Sequence, residues 1–391
     1  MKPGACILFE SEAAEQACLE SLVKTYQLVS RAPHRQRHIF LDTFDWRLFT
    51  SGLCLVKSGT NLSLRRLTDD GTIASINWRS KRLPVFPADL PKSKLQDELN
   101  KLCKIRALQV KAELVSVAHE YAILDAEGKT VLRVNQGSFG FSGKSKTKPF
   151  LREWRVNPLR GYEDEGGAFC QSASRFGAWR TGELVHPLAM ALQEEGVDPS
   201  RFTPNRNLHF SPELPAYLAA RSVLEHALDV VEVNEQGILD DTDTEFLHHY
   251  RVALRQAKSA LGLFREVLPT EDTLALKESI STLARASNAL RDLDVFLLKR
   301  ESITARLPRA FDQGVETFFR RLKSERTRER KTLCAFLRSD TLPAVKLQWR
   351  TFATKLSDPS FSPAPTVPVY DIACQNIRKR YDRIVKRGRK L

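Results

Sequence analysis

The most constraining feature of this 391-residue sequence is a regular apolar spacing between residues 243 and 267. Apolar side chains recur there at alternating separations of three and four positions: Leu247, Tyr250, Leu254, Ala257, Leu261 and Phe264. An α-helix turns once every 3.6 residues or so, and this spacing therefore puts all of them on one face. A capping box of Thr242 and Glu245 is predicted to begin the helix, and Pro269 to end it. The pattern predicts an amphipathic helix over 243–267 that packs in a helical bundle.

A row of basic residues runs beside this apolar face. Each member follows an apolar position by one residue, about 100° further around the helix: His248, Arg251, Arg255, Lys258 and Arg265. One interpretation is a solvated charged face whose aliphatic stems cover apolar surface. The other is the wall of an anion-binding groove, since the row includes no acid and arginine forks match phosphate oxygens. The second is favoured, because a protonated histidine can also donate to phosphate.

The rest of the second half of the chain also has a helical pattern. Helices are predicted at 214–235, 243–267, 272–299, 310–336, 341–356 and 369–388, with a proline-rich linker at 357–365. The net charge of the chain is +14, but residues 211–250 carry −8 and residues 251–391 carry +15. An anionic partner is therefore expected to meet the second half of the chain.

The first 200 residues mix β-rich runs with helical stretches. Strands are predicted at 37–41, 62–65, 122–124, 129–134 and 151–156. A turn at 125–128 predicts a hairpin, and the glycine-rich segment 137–143 is interpreted as a hairpin connection because its spacing does not fit a phosphate loop. The predicted fold class is an α+β domain with an antiparallel, tunnel-like or barrel-like sheet, followed by an all-α bundle. The boundaries are 1–200, a linker at 201–213, and 214–391.

Composition excludes several classes of protein. Seven cysteines are scattered without a CxxC pair, which argues against a disulfide framework and a zinc site. No run of about 18 apolar residues and no signal peptide are present, so no membrane partner is expected. These features predict a cytoplasmic protein with no cofactor and no bound metal.

Three segments in order carry a resemblance to a known family. Residues 245–264 contain a histidine followed by repeated basic residues at helical spacing, residues 290–295 read LRDLDV, and residues 377–391 are strongly basic. This combination resembles the CHAD domain, a helical family named for its conserved histidine. The resemblance covers residues 211–391.

The CHAD resemblance implies two four-helix bundles related by pseudo-twofold symmetry, with a basic cleft that binds inorganic polyphosphate. Carried onto this sequence, it gives the following expected polyphosphate-binding residues: His248, Arg251, Arg255, Lys258, Arg291, Arg378, Lys379, Arg383 and Lys386. In that family the second bundle would continue past Leu391. This chain is therefore expected to hold the first bundle and only the start of the second, a truncation that leaves out half of the cleft.

The first half resembles the CYTH domain, a triphosphate-tunnel fold, through residues 40–52. Active members of that family begin with Glu-x-Glu-x-Lys, which holds a divalent metal and phosphate. The corresponding strand here, around residues 6–10, lacks the motif, and Glu153 is followed by Arg155 where a second acid is expected. The resemblance therefore implies a degenerate tunnel domain without triphosphatase activity. Arg65, Arg66 and Arg79 remain candidates for lining the tunnel, or are ordinary surface charges.

Together these features predict a non-enzymatic protein that binds inorganic polyphosphate through a basic helical cleft, and association with polyphosphate granules is expected. Two alternatives remain open. One is a tunnel-type inorganic triphosphatase, which the missing acidic motif disfavours. The other is a nucleic-acid-binding protein, since basic helices also follow DNA phosphates.

Overall fold

The computed structural model describes residues 5–143, 149–180, 185–199, 208–358 and 366–388. The chain divides into two compact units, Met1–Thr203 and Pro204–Leu391. Of the two predicted linkers, residues 201–207 and 359–365 lie outside the described residues. No helix in the described ranges is long and apolar enough to cross a lipid bilayer.

The first unit is built on one antiparallel sheet with short helices. Its strands are β1 (Ala5–Leu8), β2 (Gln27–Ser30), β3 (His34–Thr43), β4 (Leu53–Ser58), β5 (Asn61–Arg66), β6 (Thr72–Asn77), β7 (Leu108–Leu124), β8 (Thr130–Phe141), β9 (Leu151–Pro158) and β10 (Ala178–Arg180). The strand order is β10-β1-β9-β8-β7-β3-β4-β5-β6, and β2 pairs with β7. The helices are α1 (Glu12–Thr25), α2 (Arg47–Thr50), α3 (Lys94–Cys103), α4 (Glu163–Ala173) and α5 (Pro187–Glu194).

Helices cover one face of this sheet. Side chains alternate between the two faces of a strand, so Trp154 of β9 points to one side and its neighbours to the other. Trp154 packs with Leu22 of α1 and Phe169 of α4 in one core cluster. At the other end of the sheet, Leu64 of β5 packs with Leu99 of α3. The opposite face lines a cavity and is partly covered by α5, whose Leu188 packs in one cluster with Phe40 and Val56.

The second unit is helical. Its elements are α6 (Ala216–Leu239), α7 (Thr244–Leu263), α8 (Thr270–Ala286), α9 (Asn288–Leu298), α10 (Arg300–Thr304), α11 (Asp312–Leu337), α12 (Thr341–Lys355) and α13 (Val369–Gly388). The predicted order, an α+β unit with an antiparallel sheet followed by a helical unit, is confirmed. The predicted strands lie within observed strands, except that the one predicted at 129–134 begins one residue before β8.

The apolar face of α7 forms the centre of the helical core. Leu247, Tyr250, Leu254, Ala257 and Leu261 are each at most 3% exposed. Next to them, α6 approaches α7 so closely that a Cβ on its Gly237 would lie 2.1 Å from Cδ1 of Phe246. Glycine is a poor helix former, but this contact excludes any larger residue.

The prediction of one helix over 272–299 is wrong, because the helix is interrupted at Ser287, between α8 and α9. The Ser287 hydroxyl donates to the Ala284 carbonyl at 2.9 Å, and its backbone N–H donates to the same oxygen at 3.3 Å. Serine competes in this way with the regular hydrogen bonds of a helix. Ser287 is fully buried, so the break is part of the core.

Two further local predictions are corrected. The cap of α7 is Asp243, whose carboxylate accepts from the Glu245 N–H at 2.9 Å. The predicted cap, Thr242, instead donates its N–H to the Gly237 carbonyl at 3.1 Å and closes α6, with Asp241 in the left-handed conformation before it. Residues 137–141, predicted to lie in a connection, form the end of β8, because pairing with both β7 and β9 satisfies their backbone groups.

Replacing Leu254 by alanine should destabilise the helical unit. Leu254 is 0% exposed, so the substitution leaves a cavity, and we expect a loss of about 2–5 kcal/mol in the free energy of unfolding. Urea denaturation measures the change. The control is Leu274→Ala on α8, where the side chain is 64% exposed and the change should stay within about 0.5 kcal/mol. Equal losses in both variants would show that the core face is misassigned.

Candidate functional site

A basic pocket of about 510 Å³ lies between α7, α8 and α9. Its walls come from each of the three helices: His248, Arg251, Val252, Arg255, Lys258 and Ser259 of α7, Lys277 and Ala284 of α8, and Arg291 of α9. The pocket brings together five of the residues expected from the sequence, namely His248, Arg251, Arg255, Lys258 and Arg291. No carboxylate is among these lining residues.

One positional rule explains most of this lining. On α7 the charged residues follow the buried positions by one residue, as Arg255 follows Leu254. The same rule holds on the facing helices, where Lys277 follows buried Leu276 and Arg291 follows buried Leu290. A side chain one position past a core residue lies about 100° around the helix, at the border of the core. Three such borders meet to form the pocket.

Lys277 was missed by the sequence analysis. It belongs to no quoted motif and is a single lysine on an otherwise mixed helix. The signal that could have identified it is its position after Leu276, the same relation that marks Lys258 after Ala257.

Arg251 has a structural role in addition to lining the pocket. Its Nη1 lies 3.0 Å from the Ala284 carbonyl, 2.9 Å from the Ser287 hydroxyl and 2.6 Å from Oδ1 of Asn288. The break between α8 and α9 exposes these acceptors, and Arg251 binds them from α7. One nitrogen of the guanidinium therefore fastens α7 to the start of α9, while Nε and Nη2 make none of these three bonds.

The positive charge of the pocket is poorly compensated. Arg255, Lys258 and Lys277 form no ion pair within the described part of the chain. Burial lowers the pKa of Arg251 below its ordinary value; Asp292 opposes this change, and the charges of Arg291 and Arg255 add to it. Cations that crowd one another in this way favour the arrival of an anion.

A buried ion-pair network holds α9 in place behind the pocket. Asp294 is 1% exposed and accepts from Arg326 Nε of α11 at 2.6 Å. The same guanidinium donates to Asp241 at 2.7 Å, and this hydrogen bond lowers the pKa of Asp241. Asp294 of α9 is thus paired with an arginine of another helix. The network fixes the helix that carries Arg291.

The four expected residues of the last helix lie elsewhere. Arg378, Lys379, Arg383 and Lys386 are exposed on α13, and none of them lines the pocket. The helix packs near the end of α7 through buried Ile372, and Nζ of Lys379 is 3.4 Å from the Glu266 carboxylate. These cations form a second basic surface on the same unit.

The first unit contains a separate cavity of about 290 Å³. Six neighbouring strands, β9, β8, β7, β3, β4 and β5, line it through alternate residues such as Asn135, Gly137 and Phe139 of β8. Since strands lie about 4.8 Å apart, six strands enclose one cavity only if the sheet curves strongly. The cavity is the concave interior of the sheet, in agreement with the predicted tunnel-like shape.

The arginines of this cavity are already paired. Arg65 Nη1 lies 3.2 Å from the Asp70 carboxylate, and Arg155 Nη2 lies 2.7 Å from the Glu153 carboxylate. Of the other tunnel candidates, Arg66 pairs with Asp69 at the surface, and Arg79 is exposed and does not line the cavity. Across the described residues, no three His, Cys, Asp or Glu side chains are grouped to hold a metal ion.

A family model described as the CHAD domain matches residues 222–391. The match covers α7, α8 and α9, which line the basic pocket, and α13. Comparison with curated proteins gives no match.

Several solved structures are similar to parts of the chain. The CHAD domain from the plant Ricinus communis is 22% identical, with a TM-score of 0.41, over 48% of this chain and 60% of that one. A putative adenylyl cyclase from Hippeastrum, described as having a dominant triphosphatase activity, is 13% identical, with a TM-score of 0.35, over 51% of this chain and 97% of that one. A putative adenylate cyclase from Vibrio parahaemolyticus is 11% identical, with a TM-score of 0.26, over 44% of this chain and 90% of that one. The chain thus spans 60% of the length of the Ricinus structure, and likeness at this level does not bear on the ligand.

Replacing Arg251 by alanine should destabilise the helical unit, in contrast to its neighbour Arg255. Arg251→Ala removes the hydrogen bonds to Ala284, Ser287 and Asn288, and we expect a loss of about 1–3 kcal/mol in the free energy of unfolding. Arg255→Ala on the same helix should stay within about 0.5 kcal/mol, because that side chain is exposed. Chemical denaturation of both variants tests the difference. If Arg251→Ala is as stable as Arg255→Ala, the hydrogen bonds of Arg251 do not stabilise the interruption between α8 and α9.

Proposed function

We propose that residues 222–391, which are a CHAD domain, bind inorganic polyphosphate in the pocket between α7, α8 and α9. The observation that carries the proposal is the lining of the pocket: five arginines and lysines and one histidine, with no carboxylate among them. Guanidinium groups bind phosphate oxygens in pairs, and lysines add mobile positive charges.

The arrangement suits a long polyanion better than a single phosphate. Arg251 and Lys258 are seven residues apart on α7, about 10 Å along the helix axis. One orthophosphate reaches only part of this row, whereas a chain of phosphates reaches cations on all three helices. Each contact also releases a counterion from the polyanion, so affinity rises with the number of phosphates bound.

Nucleic acid is the second candidate ligand, because it presents the same phosphate charges. Proteins that bind single strands place aromatic side chains beside the basic groove, on which the bases stack. Apart from His248, no aromatic ring is among the residues that line this pocket. We therefore propose polyphosphate as the preferred ligand, in the cytoplasm and in association with polyphosphate granules. Competition between polyphosphate and single-stranded DNA separates the two.

We also propose that the first unit does not hydrolyse triphosphates. Hydrolysis by a metal-dependent mechanism needs free carboxylates that hold the ion. Both carboxylates that face the cavity, Asp70 and Glu153, are engaged by arginines. These pairs support a non-enzymatic protein, since they leave few oxygen ligands for a metal.

Removing two exposed cations from the pocket should weaken polyphosphate binding. We expect Arg255→Ala combined with Lys277→Ala to bind long-chain polyphosphate roughly ten- to a hundredfold more weakly, as two charge-assisted contacts are lost. The slope of log affinity against log salt should flatten by about two. Isothermal titration calorimetry at several salt concentrations measures both effects.

Two control variants complete this test. Arg265→Ala with Lys299→Ala removes the same charges from exposed positions outside the pocket, and its affinity should fall much less. Arg378→Ala with Arg383→Ala does the same on α13 and tests the second basic surface. If all three double variants bind equally well, the pocket is only a solvated charged surface.

The protein should release no phosphate from inorganic triphosphate or from nucleoside triphosphates when Mg²⁺ or Mn²⁺ is added. The reason is the pairing of Asp70 and Glu153 with arginines inside the cavity. A phosphate-release assay tests this. Metal-dependent turnover near the common enzyme rate of about 10 s⁻¹ would contradict the proposal.

A further inference from the structure

The cavity of the first unit has compensated charges on two opposing walls. One wall is β5, which carries Arg65 with its partner Asp70; the other is β9, which carries Glu153 and Arg155. These strands are the two ends of the six-strand array that encloses the cavity. The cavity therefore presents two cations and two anions, in contrast to the basic pocket of the helical unit.

We propose that this cavity excludes polyanions and binds a small zwitterionic molecule, because Asp70 and Glu153 take the places of an anionic ligand on Arg65 and Arg155. This site is separate from the polyphosphate pocket and does not depend on it. A triphosphate would have to displace both carboxylates and leave their charges uncompensated beside its own.

The Glu153–Arg155 pair is the less accessible of the two. The Glu153 side chain is only 3% exposed, whereas Arg155 is 29% exposed. The Cys6 thiol of β1 also lies 3.6 Å from Oε2 of Glu153, whereas Arg155 binds Oε1. A charge held in such a place is costly to leave unpaired, so Glu153 does not readily give up its arginine.

Both members of the Arg65–Asp70 pair face the cavity. The side chains are 26% and 32% exposed, and Arg65 Nε also donates to the Ser63 hydroxyl at 2.9 Å. Asp70 follows β5 in the left-handed conformation, with φ of 53°. This turn positions the carboxylate against the arginine, and asparagine also tolerates the conformation.

The histidines of the cavity add no positive charge at neutral pH. His38 lies between two hydroxyls, with its ring nitrogens 2.8 Å from Ser58 and 2.8 Å from Ser116. Burial lowers the pKa of His38, and burial lowers the pKa of His186 to about 4. Neutral imidazoles donate or accept hydrogen bonds but do not attract a polyanion.

A zwitterion fits these walls because it adds no net charge. Its ammonium can share a wall carboxylate while its own carboxylate contacts the arginine of the same pair, so no charge is left uncompensated. The aromatic rings of His38 and Phe139, 5.9 Å apart, give the space between the walls a partly apolar lining. A volume of about 290 Å³ is at the small end of ligand pockets, which start at about 300 Å³. A free amino acid is of this size and charge.

The test uses the full chain with Arg255→Ala and Lys277→Ala as a common background, so that the helical pocket contributes equally to every measurement. Into this background we introduce Asp70→Asn and Glu153→Gln, which free both arginines without changing shape. Calorimetry with inorganic triphosphate should show a gain in affinity of about tenfold or more in the new variant. Adding Arg65→Ala should remove most of this gain and so assign it to the cavity.

Asp70→Asn alone serves as a second variant in case Glu153→Gln impairs folding, which circular dichroism detects. It should show a smaller gain in triphosphate affinity. In parallel, thermal shift with each of the twenty amino acids should reveal at least one that raises the melting temperature of the background chain and does so less after Asp70→Asn. The charge-exclusion inference is wrong if Asp70→Asn binds triphosphate no better than the background. The zwitterion inference is wrong if no amino acid stabilises the chain. Neither result bears on polyphosphate binding by the helical pocket.

Discussion

Burial of the apolar face of α7 is the interaction on which the helical unit depends. Tyr250 and Leu254 are wholly enclosed, and α6 comes close enough to require glycine at position 237. Because the core fixes the rotation of α7 about its axis, the next residues along the helix are held at the border of the core. Cations at those positions, such as Arg255, therefore begin at the edge of the groove between the helices. Core packing thus sets the direction of the functional side chains.

The two units handle charge in opposite ways. In the helical pocket, arginines and lysines from three helices converge without carboxylates, and repulsion among them makes an anion favourable. In the cavity of the first unit, each arginine has a carboxylate partner within hydrogen-bonding distance. Both cavities contain arginine, so composition alone does not distinguish them. The difference lies in whether the fold supplies the counter-charge.

The break at Ser287 shows where reasoning from periodicity stops. The apolar spacing of α8 continues into α9, and it therefore predicts one helix. The structure divides this helix because the Ser287 hydroxyl and Nη1 of Arg251 both bind the Ala284 carbonyl. That contact joins residues 33 positions apart in the sequence. It also gives Arg251 a structural role that its place in a basic row does not reveal.

Sequence by itself determined the order of the two units, five of the strands, most helices of the second unit, the core face of α7 and the basic pocket residues on that helix. These follow from local spacing, since each depends on residues within a few turns or one strand. Only the tertiary structure decided that Lys277 joins the pocket, that the cations of α13 lie outside it, and that the Arg65–Asp70 and Glu153–Arg155 pairs face one cavity. These outcomes depend on which distant segments meet. The energy of a charge is set by its nearest neighbours in space, and for Arg291 those neighbours include Arg251 and the Thr244 carbonyl, both of α7.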